Sequence, residues 1–170
     1  ITFDAAWGNE DTQQLLDILK ENDARASFFM VGGWIDRFPD SVKAFADAGH
    51  EILNHSDSHA HFNELSPEEI KEDLDTCEAK IASVLGESKH LFRAPYGEYN
   101  DRVISSAKEA GYTTIQWDVD SLDWKDLSAQ DIAHRVLSRV KEGSICLFHN
   151  GAKNTPEAPK NILPDLKKKG

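Results

Sequence analysis

The sequence is poor in cysteine and has no long hydrophobic run. Its two cysteines, Cys77 and Cys146, lie in apolar-patterned segments without C-x-x-C spacing, so we predict that both are buried free thiols rather than chemically active groups. No stretch approaches the roughly 18 apolar residues of a membrane-spanning helix, and no charged-then-apolar leader opens the chain. The 170 residues can bury a core without disulfides, so we expect residues 1–170 to form a single domain.

Basic residues are also scarce. Lysine and arginine together number 19 against 30 acidic residues, which gives a net charge of -11. Because nucleic acids attract proteins of the opposite charge, this balance excludes them as expected partners. The one basic run, Lys167 to Lys169, follows a helix-like stretch, where lysines suit the negative end of the helix dipole. We interpret it as a solvated helix end.

Both ends of the sequence have the residue patterns of secondary-structure elements. The chain opens in a strand-like run, Ile1 to Phe3, and closes in a helix-like stretch that begins near Leu163. We therefore expect the domain to extend beyond both ends. Any signal or anchor would then lie upstream, so the missing leader carries no information about localisation.

Short apolar runs alternate with helical patterns along the whole chain. The strands are predicted at 1–3, 26–31, 51–54, 90–92, 113–117 and 144–148, and the helices at 10–22, after Pro39, from Ser66, at 101–110 and at 128–141. Ser66, Pro67 and Glu69 form the pattern of a capping box with proline in the first turn. Six alternations without a linker or repeat predict one α/β domain with a mostly parallel sheet, either a barrel or an open sheet.

Ionisable residues cluster just after the predicted strands. Asp4 follows the first, His55 and His59 the third, Arg93 the fourth and His149 the sixth, while Asp118, Asp120 and Asp123 follow the fifth. Loops beyond the carboxyl ends of parallel strands form the active sites of α/β proteins. The two histidines are four residues apart, about one helical turn, so both imidazoles could face one divalent metal ion.

Five short motifs occur in order along the chain. They are Thr2-Phe3-Asp4, His55-Ser56-x-x-His59, Arg93-Ala94-Pro95-Tyr96-Gly97, Asp120-Ser121-Leu122-Asp123-Trp124 and Leu147-Phe148-His149. In order and composition they resemble the motifs of the polysaccharide deacetylase family, the family 4 carbohydrate esterases with a NodB-type domain. The resemblance spans essentially the whole chain. It implies a deformed (β/α) barrel that hydrolyses acetyl groups on a glycan, N-acetyl more than O-acetyl.

The resemblance also implies a role for each motif residue. His55 and His59 would bind a divalent metal, usually zinc with cobalt or nickel as alternatives, which polarises the acetyl carbonyl. Asp4 would be the general base, paired with and oriented by Arg93. His149 would be the general acid that protonates the leaving group. Asp120 is expected to hold that imidazole and keep it protonated, with Asp118 as support and Asp123 as the cap of a turn.

Three further residues follow from the same resemblance. Trp124 and Leu147 would enclose the acetyl methyl group, and the backbone N–H of Tyr96 would stabilise the oxyanion. Trp7, in the loop after the first strand, is a candidate for stacking on a sugar ring. His61 is expected at the surface, away from the site.

One departure from the family pattern concerns the metal. The family's first motif carries a second aspartate that serves as the third metal ligand, and here Ala5 occupies that position. Glu10, Asp11 and Asp57 are the nearest substitute carboxylates, and Asp4 itself is another. The run from Phe3 to Gly8 resembles a sub-branch of the family from spore-forming bacteria, including a sporulation type linked to peptidoglycan.

The expected partner is an acetylated envelope or extracellular polysaccharide such as peptidoglycan or chitin oligomers, bound by a monomer. A second hypothesis is a catalytically weakened relative that binds glycan, because Ala5 cannot coordinate a metal. A third is a small-molecule amide hydrolase on the same scaffold. Substrate contacts lie in variable loops, so the sequence does not choose among glycans.

Overall fold

A single parallel sheet organises the molecule. The computed structural model describes residues 1–169 and contains seven strands within them: β1 (Thr2–Ala5), β2 (Ser27–Met30), β3 (Glu51–Asn54), β4 (Leu91–Phe92), β5 (Thr113–Thr114), β6 (Val119–Asp120) and β7 (Cys146–His149). Their order is β5-β4-β3-β2-β1-β7-β6, and every pairing is parallel. The sheet curls into a half-barrel flanked by helices. This confirms the predicted α/β deformed barrel.

Helices lie between most successive strands, although the short segment between β5 and β6 contains none. Within residues 1–169 they are α1 (Thr12–Glu21), α2 (Gly32–Arg37), α3 (Pro39–Asp47), α4 (Pro67–Leu85), α5 (Asp101–Glu109), α6 (Ala129–Leu137) and α7 (Glu157–Lys169). The predicted capping box opens α4, since the Glu69 N–H donates to Ser66 Oγ and the Ser66 N–H donates back to the Glu69 carboxylate. Lys167 to Lys169 form the last turn of α7, as predicted. None of these helices is long and apolar enough to cross a bilayer.

Three elements differ from the sequence prediction. The predicted strand 113–117 is shorter, since β5 ends at Thr114. A further strand, β6, was not predicted and pairs with β7 at the far edge of the sheet. The helix α2 was not predicted, because its opening residues Gly32 and Gly33 are poor helix formers. Gly32 also faces Asp57, whose Oδ1 would lie 1.8 Å from a side-chain carbon at that position.

Aromatic side chains fill the core beneath the sheet. The rings of Phe3 and Phe28 stack 5.0 Å apart, and Phe28 stacks on Phe45 at 4.0 Å. Cys77 and Cys146 are both free and buried, as predicted. Packing on this scale fixes the strands, so the residues at their carboxyl ends have little freedom.

Candidate active site

The carboxyl ends of the central strands meet around one cavity of about 530 Å³. Its lining residues are Asp4, Ala6, Trp7, His55, His59, Tyr96, Trp117, Asp120, Trp124, Leu147 and His149. The family motifs give site roles to nine residues, which are Asp4, His55, His59, Arg93, Tyr96, Asp120, Trp124, Leu147 and His149. Eight of them line the cavity, as does Trp7. The ninth, Arg93, is fully buried beside the cavity.

Asp4 and Arg93 form a buried ion pair. Arg93 Nη1 donates to Asp4 Oδ1 at 2.7 Å and to Thr2 Oγ1 at 2.9 Å. The guanidinium also lies over the Phe29 ring, 4.0 Å from its centre, with Trp117 further away at 5.5 Å. Asp4 is 4 % exposed and Arg93 is completely buried. The carboxylate is therefore held in one orientation, with Oδ2 on the side of His55.

His55 directs one ring nitrogen at Asp4. Its Nδ1 lies 2.9 Å from the carbonyl oxygen of Arg93. Because a carbonyl only accepts, we assign the proton to Nδ1, which leaves Nε2 with a free lone pair. Burial lowers the pKa of His55 and favours this neutral form. Nε2 lies 3.4 Å from Asp4 Oδ2.

His59 lies beside His55 in the same loop. The ring centres are 5.1 Å apart. Burial, and next the neighbouring His55, lower the pKa of His59 to about 4, so it too is neutral at pH 7. The four-residue spacing is not a helical turn, contrary to the sequence interpretation. Ser56 and His59 instead have left-handed φ angles of 73° and 55° in a loop.

Asp73 of α4 holds this histidine loop from behind. Its carboxylate accepts the backbone N–H of Asp57 at 2.7 Å and that of Ser58 at 3.1 Å, and it also accepts the Ser58 hydroxyl at 2.5 Å. Asp57 pairs with Lys80 at 2.7 Å. Asp73 is not predictable from the sequence, because nothing in a charged helix distinguishes the one carboxylate that reaches a distant loop.

The imidazole of His149 is held by Asp123, not by Asp120 as predicted. Asp123 Oδ1 lies 2.8 Å from His149 Nδ1, and Oδ2 accepts the His149 backbone N–H at 2.7 Å and the Thr155 hydroxyl at 2.5 Å. Burial alone would lower the pKa of His149. The hydrogen bond to Asp123 and its charge outweigh that effect and raise this pKa, so the ring is biased toward its protonated form.

A turn explains why the sequence misassigned this partner. Asp120 ends β6, and its Oδ1 accepts the Leu122 N–H at 2.9 Å, which makes it the cap of a turn. Leu122 then adopts a left-handed φ of 57°. At Leu122 the chain changes direction, which brings Asp123 toward His149. The alternation of a regular strand does not predict this change. Asp118 is no support either, because it binds Ser144 and the Ile145 N–H instead.

Of the substitute carboxylates proposed from the sequence, Glu10, Asp11 and Asp57 do not line the cavity, whereas Asp4 does. Glu10 is exposed. Asp11 is buried and accepts the Gly151 N–H at 2.7 Å, and Asp57 faces Lys80. Within residues 1–169, no group of three or more His, Cys, Asp or Glu side chains is arranged to hold a metal ion. Ala5 is fully buried among core side chains.

The donor chemistry nevertheless suits a cation. His55 Nε2 and Asp4 Oδ2 are two acceptors that face each other at 3.4 Å without a proton from the imidazole between them. Neighbouring ligands on a tetrahedral zinc ion, with bonds of about 2.1 Å, are separated by about 3.4 Å. The Nδ1–H of His55 donates to a carbonyl, as metal-bound histidines generally do. The chemistry and spacing of His55 and Asp4 therefore suit a divalent ion, although these two residues and His59 are not arranged as a three-ligand site.

Aromatic side chains surround the opening of the cavity. Trp7, Tyr96 and Trp124 are 47 %, 55 % and 50 % exposed. Trp34, in contrast, lies fully in the core. His61 is exposed, as expected, but it is not remote. It stacks on Tyr96 with ring centres 4.3 Å apart, a contact that depends on the left-handed φ of 59° at Tyr96.

Comparison with known proteins gives one consistent result. The family model described as polysaccharide deacetylase matches residues 1–115. A peptidoglycan-N-acetylglucosamine deacetylase of Bacillus cereus is 38 % identical over 175 residues, covering 100 % of this chain and 82 % of that protein. The peptidoglycan-N-acetylmuramic acid deacetylase PdaA of Bacillus subtilis is 30 % identical over all of this chain and 66 % of its own length. Other similar curated proteins are longer, and the chain spans 52 % to 66 % of them.

Solved structures agree on the fold. A family 4 carbohydrate esterase of Streptomyces lividans, in complex with acetate, superposes with a TM-score of 0.91 at 36 % identity, covering 99 % of this chain and 86 % of the other. A protein of Bacillus anthracis described as a CE4 family pseudoenzyme superposes with a TM-score of 0.94 at 33 % identity, covering 99 % and 60 %. A mutant of that pseudoenzyme is described as having restored enzymatic activity.

Proposed function

The chain belongs to the polysaccharide deacetylase family, and on that premise we propose that it hydrolyses acetyl groups of an envelope glycan, N-acetyl in preference to O-acetyl. Residues 1–170 would act as one catalytic domain. The observation that carries the proposal is a base and an acid in one cavity. Asp4 is held by Arg93, and His149, biased toward its protonated form, is held by Asp123.

His55 and His59 would hold a divalent ion, with zinc as the first choice and cobalt or nickel as alternatives. Such an ion supplies a Lewis acid that polarises the acetyl carbonyl. Both imidazoles are neutral and therefore able to bind a metal. Asp4 is the nearest carboxylate to this pair, 3.4 Å from His55.

The chain's own residues account for the proton transfers. Asp4 accepts a proton from the water that attacks the acetyl carbon, and Arg93 keeps its carboxylate aimed at the cavity. When the C–N bond breaks, His149 donates its proton to the departing amine. The products are acetate and a free amine on the sugar. Asp123 stabilises the charged imidazole before that transfer.

Three residues would orient the acetyl group. The backbone N–H of Tyr96 follows Pro95 in a short 3-10 turn and is the proposed oxyanion donor. Trp124 and the buried Leu147 line the cavity and would contact the acetyl methyl group. Asp120 also lines the cavity, and its charge would favour the cationic amine product.

The proposed substrate is a polymer of the cell envelope. Relatives over the whole chain are named as peptidoglycan deacetylases, and a chitooligosaccharide deacetylase of Bradyrhizobium is 29 % identical over 89 % of the chain. We therefore propose peptidoglycan or chitin oligomers as substrate, an envelope or extracellular location, a monomeric state and a role in sporulation.

A specific observation favours a second candidate, a catalytically weakened relative that binds glycan. Ala5 replaces the third metal ligand of the family pattern, and no substitute side chain reaches the histidines from the neighbouring loop positions Glu10, Asp11 and Asp57. The similar B. anthracis protein is itself described as a pseudoenzyme. This candidate predicts glycan affinity without acetate release.

Acetate release from three substrates separates these candidates. The zinc-loaded protein is incubated with N-acetylated chito-oligomers, peptidoglycan fragments and O-acetylated xylan, and acetate and free amine are quantified. The proposal predicts equal amounts of acetate and amine from at least one N-acetylated glycan, and less acetate from xylan. Binding of the oligomers by calorimetry without any acetate would support the glycan-binding candidate instead.

A further inference from the structure

Trp7 is an exposed tryptophan that lies against the proposed general acid. Its indole ring is 5.3 Å from the imidazole of His149, centre to centre, and the two planes are 26° apart. Nearly half of the side chain, 47 %, is exposed. Large aromatic side chains are mostly buried, so a solvated tryptophan on a catalytic imidazole calls for a physical explanation.

The main chain beside Trp7 is fastened at the following residue. The carbonyl oxygen of Gly8 accepts two side-chain hydrogen bonds, one from Trp34 Nε1 at 3.1 Å and one from Asn150 Nδ2 at 3.0 Å. Both donors are fully buried residues. The loop is therefore attached to the core of the protein on one side and to the residue after His149 on the other.

The same loop is also held at Trp7 itself. Arg37 Nη2 donates to the carbonyl oxygens of Ala6, at 3.4 Å, and Trp7, at 3.3 Å. Gly151 also lies close to this loop, since a side-chain carbon at that position would be 3.4 Å from Trp7 Cβ. Three consecutive carbonyls, at residues 6 to 8, are thus bound by side chains. The backbone of this loop is therefore held by several side-chain hydrogen bonds, although the Trp7 side chain is exposed.

His149 needs a second constraint of this kind. The bond from Nδ1 to Asp123 lies at one edge of the imidazole. A single edge contact fixes the direction of the ring nitrogen but leaves the ring able to tilt about that bond. The indole contacts the face of the ring and opposes this motion. Stacking an aromatic face on an imidazolium is also attractive, because the ring quadrupole favours a cation.

We propose that Trp7 is a positioning residue for His149, whose indole holds the imidazole of the general acid in the plane set by Asp123. The catalytic part of this inference rests on the proposed deacetylase function. The alternative use of Trp7, as a platform on which a sugar ring stacks, predicts a different kinetic effect. Tyr99 supplies a matched control, because it is also an aromatic residue 47 % exposed and it does not line the cavity.

The first test is a structural readout that needs no activity. Histidine NMR signals are compared in the wild type and in Trp7→Ala, Trp7→Phe and Tyr99→Ala. The ring current of the indole shifts the His149 Cε1–H signal, so we expect that signal to move toward its free-histidine position in Trp7→Ala. Trp7→Phe should retain part of the shift, and Tyr99→Ala all of it. An unchanged His149 signal in Trp7→Ala overturns the inference, whether or not the protein is a deacetylase.

The second test is kinetic. Loss of the stacking contact should lower kcat in Trp7→Ala by about three- to thirtyfold, with KM nearly unchanged. Trp7→Phe should recover most of this loss, and Tyr99→Ala should match the wild type. A higher KM with unchanged kcat would identify Trp7 as a sugar platform and overturn the positioning role. A wild type that releases no acetate would count against the proposed function. In that case the mobility of the His149 ring, read from 13Cε1 relaxation of the same samples, still decides whether Trp7 orders it, and equal mobility in the wild type and Trp7→Ala overturns the inference.

Discussion

Arg93 Nη1 lies 2.7 Å from Asp4 Oδ1, although the two residues are 89 positions apart in the sequence. Arg93 is completely buried and Asp4 nearly so. The parallel sheet brings them together, because β1 and β4 end at the same edge. A charge pair this deep is held in place by its surroundings, so it defines the orientation of the proposed base.

Replacing Asp4 tests both its chemistry and its structural role. In Asp4→Asn the amide cannot take a proton, so acetate release should fall by at least a hundredfold. The change also removes the charge beside a buried guanidinium, so the free energy of unfolding should drop by about 1–3 kcal/mol. Urea denaturation and an acetate assay measure the two effects. The exposed Asp126→Asn serves as the control, and full activity in Asp4→Asn would remove Asp4 from the base role.

The pH dependence should identify the partner of His149. Asp123 raises the pKa of His149 despite burial, so the wild type keeps its acid protonated to a higher pH. In Asp123→Asn that pKa falls, and the alkaline limb of the kcat profile should move to lower pH. Asp120→Asn should move it much less, because Asp120 acts only through its more distant charge. A larger shift in Asp120→Asn would favour the assignment made from the motif.

The histidine loop should depend on Asp73. Removing the acceptor of the Asp57 and Ser58 N–H groups loosens the backbone that carries both imidazoles. Residues that support metal ligands without touching the metal typically alter metal affinity by about 10–100-fold when they are replaced. We therefore expect zinc binding by Asp73→Ala to weaken within that range. Zinc titration by calorimetry measures it. Glu72→Gln, an exposed neighbour on the same helix, should bind zinc like the wild type, and equal affinity in Asp73→Ala would contradict this role.

Restoring the family's aspartate at position 5 should make the thermal stability of the protein depend more strongly on metal. Ala5 is fully buried, so a carboxylate there is costly unless a cation reaches it. We expect metal-free Ala5→Asp to melt at a lower temperature than the wild type and zinc to raise its Tm by more than it raises that of the wild type. Ala5→Asn, similar in size but a weaker ligand, is the control. Equal zinc responses in both variants would mean that position 5 does not face the histidines.

The sequence located most of the site because of a simple geometric rule. Residues after parallel strands converge, so the sequence alone groups Asp4, His55, Arg93 and His149 at one site. The deformed barrel followed from the same alternation, together with the family motifs. Neither inference needed the conformation of a loop.

The errors lie where loops reverse direction. The motif favours Asp120 over Asp123, because strand alternation gives no sign of the left-handed Leu122 between them. The contact of His61 with Tyr96 and that of Trp7 with His149 depend equally on loop backbone. Such contacts join residues far apart in sequence, and their spacing carries no signal.

The most direct test of the account is zinc-dependent acetate release by the wild type and by His55→Ala. Metal-stripped protein is titrated with zinc in the presence of an N-acetylated chito-oligomer, and acetate is measured at each step. We predict that acetate release rises with zinc to saturation in the wild type and is absent in His55→Ala at the same zinc concentrations. No release by the zinc-saturated wild type, or equal release by His55→Ala, would contradict the proposed metal-assisted deacetylation.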